Sequence, residues 1–120
     1  MTKRISFTKH ENKIFPGFRE KIGKAESTED VKKFFVYTVK KLFDEVFKGQ
    51  LEFDYQDFTL TPDKTRAYEL SERVVFSEYF KSVWDKSDLS RVLNRLAESA
   101  VRRYRHLEKH PEKTDSKIRM

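Results

Sequence analysis

The sequence has no cysteine, and it contains only three glycines and three prolines among its 120 residues. The absence of cysteine excludes disulfide bonds, thiolate zinc sites and a cysteine nucleophile, and it fits a reducing compartment. Long apolar runs are missing too, because no segment approaches the roughly 20 apolar residues of a membrane-spanning helix. The opening MTKRISFTKHENK has charge but no apolar run behind it, unlike a secretory signal. We therefore expect a cytoplasmic protein with no membrane partner.

Familiar catalytic motifs are also missing. The chain has no Gly-rich phosphate loop and no GxSxG motif, and its three histidines do not indicate a catalytic triad. What remains for acid–base or magnesium chemistry is a set of acidic side chains in the middle of the chain: Glu52, Asp54, Asp57, Glu69, Glu72 and Glu78. Such groups need convergent geometry and shifted pKa values. A small enzyme with a carboxylate site is therefore our third hypothesis, and we expect a non-enzymatic protein without a cofactor.

The residues that are abundant indicate a folded protein with basic ends. Charged residues make up 38% of the chain and aromatic residues 14%, with eleven phenylalanines. Aromatic burial can offset the loss of chain entropy, which a polar, Pro-rich segment cannot do. The net charge of +6 is uneven, because residues 1–24 and 89–120 each carry +5 and the residues between them carry −4. We expect one helical domain over residues 1–110 and a disordered C-terminal tail over residues 111–120.

Hydrophobic periodicity predicts a mostly α-helical fold, a small single-domain bundle of three main helices. The predicted helices cover about 28–48, about 61–84 with a kink near Ser71, and about 87–109. Ser27 and Gly49 flank the first helix as its N-cap and its left-handed C-terminal residue. The Thr61-Pro62 pair suits an N-cap followed by a first helical residue and opens the second helix.

Shorter elements are predicted before and between these helices. RISFT, at residues 4–8, alternates like a short strand, and Pro16 with Gly17 divides the following residues into two short helical pieces. Residues 51–60 allow a small β-hairpin, with LEF against FTL around DYQD and RISFT as a third strand. An irregular extended connection is the alternative for this segment.

The first main helix is apolar over more than half of its circumference, which indicates packing on two sides. A small domain does not necessarily cover both sides, so part of this arc is a candidate interaction surface: Val36, Tyr37, Phe43 and Phe47. Other helical aromatic residues, including Phe76 and Phe80, are expected in the core. Interaction with an unidentified protein partner, or self-association, through this aromatic helix surface is the leading hypothesis.

The last main helix carries a row of cations opposite its apolar stripe. They fall within about 80° of one another on the helix and are Arg91, Arg95, Arg102, Arg105 and Lys109. Such a row can neutralise backbone phosphates, so an accessory nucleic-acid-binding protein is the second hypothesis. The alternative is a solvated helix face on which Glu98 pairs with Arg95 or Arg102.

Two histidines near the end of this helix have the spacing of a metal site. His106 and His110 lie at i, i+4, which lets two imidazoles share one metal ion. A third ligand is not evident, because His10 is remote in sequence and Glu112 follows the helix-ending Pro111. We therefore predict no metal site and keep the two histidines as weak candidates.

Overall fold

The computed structural model describes residues 6–109, which form five α-helices and a two-stranded antiparallel sheet. In chain order the elements are α1 (Thr8–Gly23), α2 (Thr28–Val46), a 3-10 turn (Tyr55–Asp57), β1 (Phe58–Leu60), β2 (Tyr68–Leu70), α3 (Glu72–Val75), α4 (Glu78–Lys86) and α5 (Leu89–Lys109). The predicted mostly α-helical fold is confirmed. No helix in this part of the chain has the length and apolar character that crossing a membrane requires. Residues 1–5, His110 and the expected tail at 111–120 lie outside the described residues.

Helix α2 packs against α1, α5 and β1, and it follows its sequence signals closely. The Ser27 hydroxyl accepts a hydrogen bond from the Asp30 N–H at 3.1 Å, which caps the first turn as predicted. The helix ends at Val46, and Lys48 and Gly49 then adopt positive φ angles of 51° and 79°. Gly49 is thus a left-handed residue after the helix, as its position in the sequence predicts.

Five buried phenylalanines pack ring against ring in one part of the core, and we call them the phenylalanine cluster: Phe43, Phe47, Phe53, Phe58 and Phe80. The ring centroid of Phe43 lies 5.7 Å from Phe47, 5.3 Å from Phe53, 5.1 Å from Phe58 and 6.1 Å from Phe80. Each such ring pair adds about 0.5–1.5 kcal/mol beyond the burial of its area. One side chain of α2 therefore connects α2 to the segment that follows it, to β1 and to α4.

Helix α1 is continuous, whereas the sequence predicts two short pieces separated at Pro16 and Gly17. Pro16 lies inside the helix and supplies no N–H to the carbonyl of Asn12. The helix nevertheless continues because Phe18 and Ile22, beyond the proline, are buried in the core. Tertiary packing of an apolar face outweighs the local preference for a break.

The sheet lies later in the chain than predicted. β1 pairs with β2, and Phe58 lies opposite Leu70. Residues 51–53, which the prediction pairs with β1, form no regular structure. The prediction of a strand at residues 4–8 is wrong for the three of these residues that the structure describes. Ser6 and Phe7 are not in a strand, and Thr8 begins α1.

The predicted second main helix is wrong in its first half. Thr61 does not cap a helix: its hydroxyl donates to the Arg66 carbonyl and its N–H to the Ala67 carbonyl, each at 2.7 Å. A threonine hydroxyl can stabilise a turn as well as a helix terminus, so its sequence signal is ambiguous. Helical structure begins only at Ser71, which caps α3, and restarts at Ser77, which caps α4.

Helix α5 confirms the predicted apolar stripe. The Ser87 hydroxyl accepts a hydrogen bond from the Leu89 N–H at 3.2 Å at the start of the helix. The next residue, Asp88, accepts a hydrogen bond from the Phe7 N–H at 2.8 Å. The beginnings of α1 and α5 are therefore fixed to each other. The residues of α5 that are buried in the core are Leu89, Val92, Leu93, Leu96, Ala97, Ala100 and Leu107.

Asp57 joins the 3-10 turn to the start of α3. Its carboxylate accepts hydrogen bonds from the Asp54 N–H at 2.7 Å, from the Ser71 hydroxyl at 2.6 Å and from the Arg73 guanidinium. Its backbone carbonyl accepts a further hydrogen bond from the Ser71 N–H at 2.9 Å. Burial acts to raise the pKa of Asp57, but these hydrogen bonds and the charge of Arg73 together hold it below its ordinary value.

Replacing Asp57 by asparagine should lower stability and remove part of its acid dependence. A carboxyl whose pKa falls on folding stabilises the fold above its unfolded-state pKa of about 4, and this contribution disappears as the pH falls through the folded-state pKa. We expect Asp57→Asn to lower the free energy of unfolding at neutral pH by about 2 kcal/mol. The difference between the two proteins should begin to shrink below about pH 4 and continue to shrink as the pH falls through the lower folded-state pKa of Asp57.

Urea unfolding of both proteins across this pH range measures the effect. Asp85→Asn, which alters an exposed carboxyl on α4, is the control and should behave like the parent chain. The same pH dependence in Asp57→Asn and in the parent would contradict this role for Asp57.

Candidate anion-binding groove

Three of the four residues predicted as an interaction surface lie in the core. Val36 is 3% exposed, and Phe43 and Phe47 are 0% exposed. The prediction is corrected because α1, α5 and β1 cover α2, and because Phe53 from the following segment packs on both phenylalanines. Tyr37, at 53% exposed, is the member of this set that reaches the surface.

The large aromatic side chains that are exposed among the described residues are Tyr37, Tyr55, Phe76 and Tyr79. Phe76, expected in the core, is 68% exposed because it lies in the turn between α3 and α4 rather than inside a helix. Tyr37 and Tyr55 contact each other, with ring centroids 5.5 Å apart. Aromatic surface is therefore present at the Tyr37–Tyr55 pair and at the turn that carries Phe76.

Arg95, in the predicted cation row of α5, is held by a buried carboxylate. Its Nη1 lies 3.2 and 3.1 Å from the two oxygens of Glu11, a residue that is 4% exposed. The pair lines a cleft of about 580 Å³ between α1 and α5, together with Arg19 and Phe15. Because Glu11 places a negative charge beside Arg95, an anion in this cleft would meet repulsion as well as attraction.

Two more cations of the row also contact their own chain. Arg91 pairs with Asp88 at 3.1 Å. Arg105 donates to the carbonyl of Pro62 and so connects α5 to the loop between β1 and β2. Part of the predicted row therefore has a structural role.

Arg102 and Lys109 make no ion pair or hydrogen bond within residues 6–109. Glu98, which the alternative interpretation pairs with Arg95 or Arg102, instead accepts a hydrogen bond from the Asn94 amide at 2.8 Å. Two exposed cations of the predicted row thus have no counter-ion in the described part of the chain.

Two of the six carboxylates predicted as a catalytic candidate lie beside an arginine. Arg73 donates to Asp57 and to the backbone carbonyl of Glu52, and its Nη2 lies 4.0 Å from Asp54. A general acid requires a raised pKa, whereas the pKa of Asp57 is lowered. Of the other three carboxylates, Glu69 pairs with Lys64, and Glu72 and Glu78 are exposed in the first turns of α3 and α4.

The histidine candidates do not form a metal site among the described residues. No group of three or more His, Cys, Asp or Glu side chains converges there in a way that could hold a metal ion. His106 is exposed on α5, and its predicted partner His110 lies outside the described residues.

A further set of cations lies between α1 and α2, where sequence reasoning did not place a site. Two adjoining clefts of about 430 and 520 Å³ share Lys13 and Glu45 and form one groove. We call it the lysine groove after the four lysines that line it: Lys9, Lys13, Lys21 and Lys41. The first three lie on α1, where Lys9 and Lys13 are about 40° apart and Lys13 and Lys21 about 80° apart around the helix.

The lysine groove has little negative charge of its own. Among the described residues that line it, Glu45 is the one carboxylate. All four lysines are exposed, and none makes an ion pair or a hydrogen bond within the described part of the chain. Four positive charges against one negative charge give the groove a positive potential that attracts anions.

The signal for this groove is present in the sequence as the +5 charge of residues 1–24. This charge alone does not indicate a binding site, because Pro16 and Gly17 predict two separate helical pieces instead of one helix. Lys13 and Lys21 lie on either side of this supposed break, so only a continuous α1 places them along the same groove.

No family model matches the chain, and neither the curated proteins nor the solved structures contain a match. Among the described residues, the lysine groove brings together four cations that have no counter-ion of their own.

Substitutions of Phe47 and Tyr37, two residues of the predicted interaction surface, should show by their effect on stability which of the two lies in the core. Phe47→Asp places a charge in the phenylalanine cluster without a partner, so we expect it to lower the free energy of unfolding by about 4 kcal/mol or more. Tyr37→Asp removes only a surface contact between two rings and should lower it by about 1 kcal/mol. Thermal unfolding followed by circular dichroism makes the comparison. A stable, native Phe47→Asp protein would show that this position is not part of the core.

Proposed function

We propose that this protein is a non-enzymatic nucleic-acid-binding protein that contacts backbone phosphates through the lysine groove. The observation that carries the proposal is that four lysines without an ion-pair or hydrogen-bond partner among residues 6–109 line one groove. Phosphate neutralisation by lysine releases counterions, which supplies most of the affinity of sequence-independent binding. The proposal keeps the nucleic-acid hypothesis but moves its main contact from α5 to α1 and α2.

The shape and spacing of the groove favour a strand with regularly repeated charge. Along α1, Lys9 and Lys13 are one turn apart, about 6 Å, and Lys21 follows about 12 Å further on. A strand can lie along an open groove between two helices and meet lysines from both of them, whereas a membrane surface would contact mainly the outermost lysines. Lysine is a compact charge on a flexible stem and does not impose the planar geometry of arginine. Binding should therefore be independent of base sequence.

Retention of nucleic acid should depend steeply on salt. If all four lysines contact phosphates of a single strand, the slope of log affinity against log salt is about −2.8. Affinity should then fall about 50-fold between 50 and 200 mM salt. Fluorescence anisotropy of a labelled oligonucleotide measures both values. Absent or salt-insensitive binding would overturn the proposal.

Two matched double variants locate the binding face. Lys13→Glu with Lys41→Glu alters the groove, and Arg102→Glu with Lys109→Glu makes the same change in net charge on α5. We expect the groove variant to lose about 10-fold or more in affinity and the α5 variant to lose less. A larger loss in the α5 variant would move the site to that helix. Binding to anionic vesicles in preference to the oligonucleotide would replace nucleic acid by a membrane surface as the partner.

Protein interaction is a second candidate function, and the surface that favours it is the exposed turn around Phe76 rather than α2. Phe76 is 68% exposed and lies three residues before Tyr79, which is 42% exposed and packs on the buried Phe47. Lys81 lies over the Phe76 ring at 5.8 Å but leaves most of it in solvent. An exposed phenylalanine of this kind is a common anchor in self-association.

Self-association through this turn should appear as a mass above that of the monomer in sedimentation experiments over increasing protein concentration. Phe76→Ser should restore the monomer without loss of stability, because the ring is mostly outside the core. Tyr55→Ser, at an exposed aromatic residue of the 3-10 turn, is the control. A parent chain that remains monomeric at all concentrations would contradict self-association at Phe76.

A further inference from the structure

An aromatic ring lies in the wall of the lysine groove. Tyr37 lines the same cleft as Lys13, Lys21 and Lys41, and it is 53% exposed. Its ring contacts Tyr55 edge to face, with a centroid distance of 5.5 Å and an interplanar angle of 66°. The contact holds Tyr37 from one side while much of the ring stays open to solvent. A ring that is already held in place loses less conformational entropy when a planar group binds to it.

The opposite wall of this cleft is open. Gly17 of α1 lines the cleft together with Tyr37, and a Cβ atom placed on it would have no heavy atom within 4 Å. Its φ angle is not in the left-handed region, so the backbone there does not require glycine. The α1 side of the cleft is therefore not closed by a side chain at Gly17.

A cationic groove with an exposed aromatic ring is the combination that binds single-stranded nucleic acid, in which the cations follow the phosphates and the ring stacks on a base. In a duplex the bases are stacked on each other and only their edges are accessible, so the ring would contribute little. We propose that the lysine groove selects single-stranded nucleic acid and that Tyr37 stacks on one of its bases. This inference rests on the proposed function, to which it adds the class of nucleic acid.

The two contributions can be separated by removing the bases from the ligand. The full-length chain is titrated against three fluorescein-labelled probes: an oligo-dT of about twelve nucleotides, an abasic strand of the same length and charge, and a duplex of the same length. The abasic strand keeps the phosphates, so it reports on the lysines alone. We expect oligo-dT to bind about 10-fold more tightly than the abasic strand, and more tightly than the duplex.

Tyr37→Leu should reduce the ratio between oligo-dT and the abasic strand to about one, without weakening the abasic strand. Tyr37→Phe keeps the aromatic face and should restore the ratio. Phe76→Leu, which alters an exposed aromatic ring that does not line the groove, is the matched control and should leave all three affinities unchanged. Thermal unfolding of each variant checks that the ring substitution leaves the fold intact.

The outcomes distinguish this inference from the function on which it rests. Equal binding of oligo-dT and the abasic strand, with no effect of Tyr37→Leu, would overturn base stacking and leave phosphate binding in place. Tighter binding of the duplex than of oligo-dT would overturn the selection of single strands. Absence of binding to all three probes at low salt would overturn both proposals.

Discussion

The packing of Phe43 is the contact on which the rest of the structure depends. Its ring lies against residues from the segment after α2, from β1 and from α4, so one helix positions all three of these parts of the chain. The same packing determines which side of α2 is exposed to solvent. Tyr37 is six residues before Phe43, which places it about 120° away around the helix. Burial of Phe43 therefore turns Tyr37 outward, beside Lys41 and the lysines of α1.

The parts of the fold that local signals specify could be predicted from the sequence. Ser27 and the apolar arc predict α2, and the regular apolar stripe predicts α5, because caps and helical periodicity are properties of a short segment. The position of the sheet could not be predicted, since Thr61 followed by Pro62 suits a helix start and a turn equally well. The hydrogen bonds that Thr61 donates to Arg66 and Ala67 depend on the pairing of β1 with β2.

The candidate site depends on contacts that are distant in the sequence. Periodicity places Arg95 on the outer side of α5, but it does not show that Glu11, 84 residues away, will pair with it. Likewise, Lys13 and Lys41 belong to different helices, and they line one groove only because α1 packs against α2. The charge of a segment can be counted from the sequence, whereas the presence of a counter-ion beside each charge is a property of the tertiary structure.

Pro16 and Gly17 illustrate how core packing outweighs local helix propensity in this protein. In a helix interior, proline is about 3 kcal/mol and glycine about 1 kcal/mol less favourable than alanine, yet both lie inside α1. Core packing does not require Gly17, because it is exposed and has open space around its Cβ position. An alanine there would stabilise the helix by about 0.5–1 kcal/mol, and its methyl group would meet open space. The unfavourable helix propensity of both residues is therefore offset by the burial of Phe18 and Ile22 beyond them rather than by any local contact of Gly17.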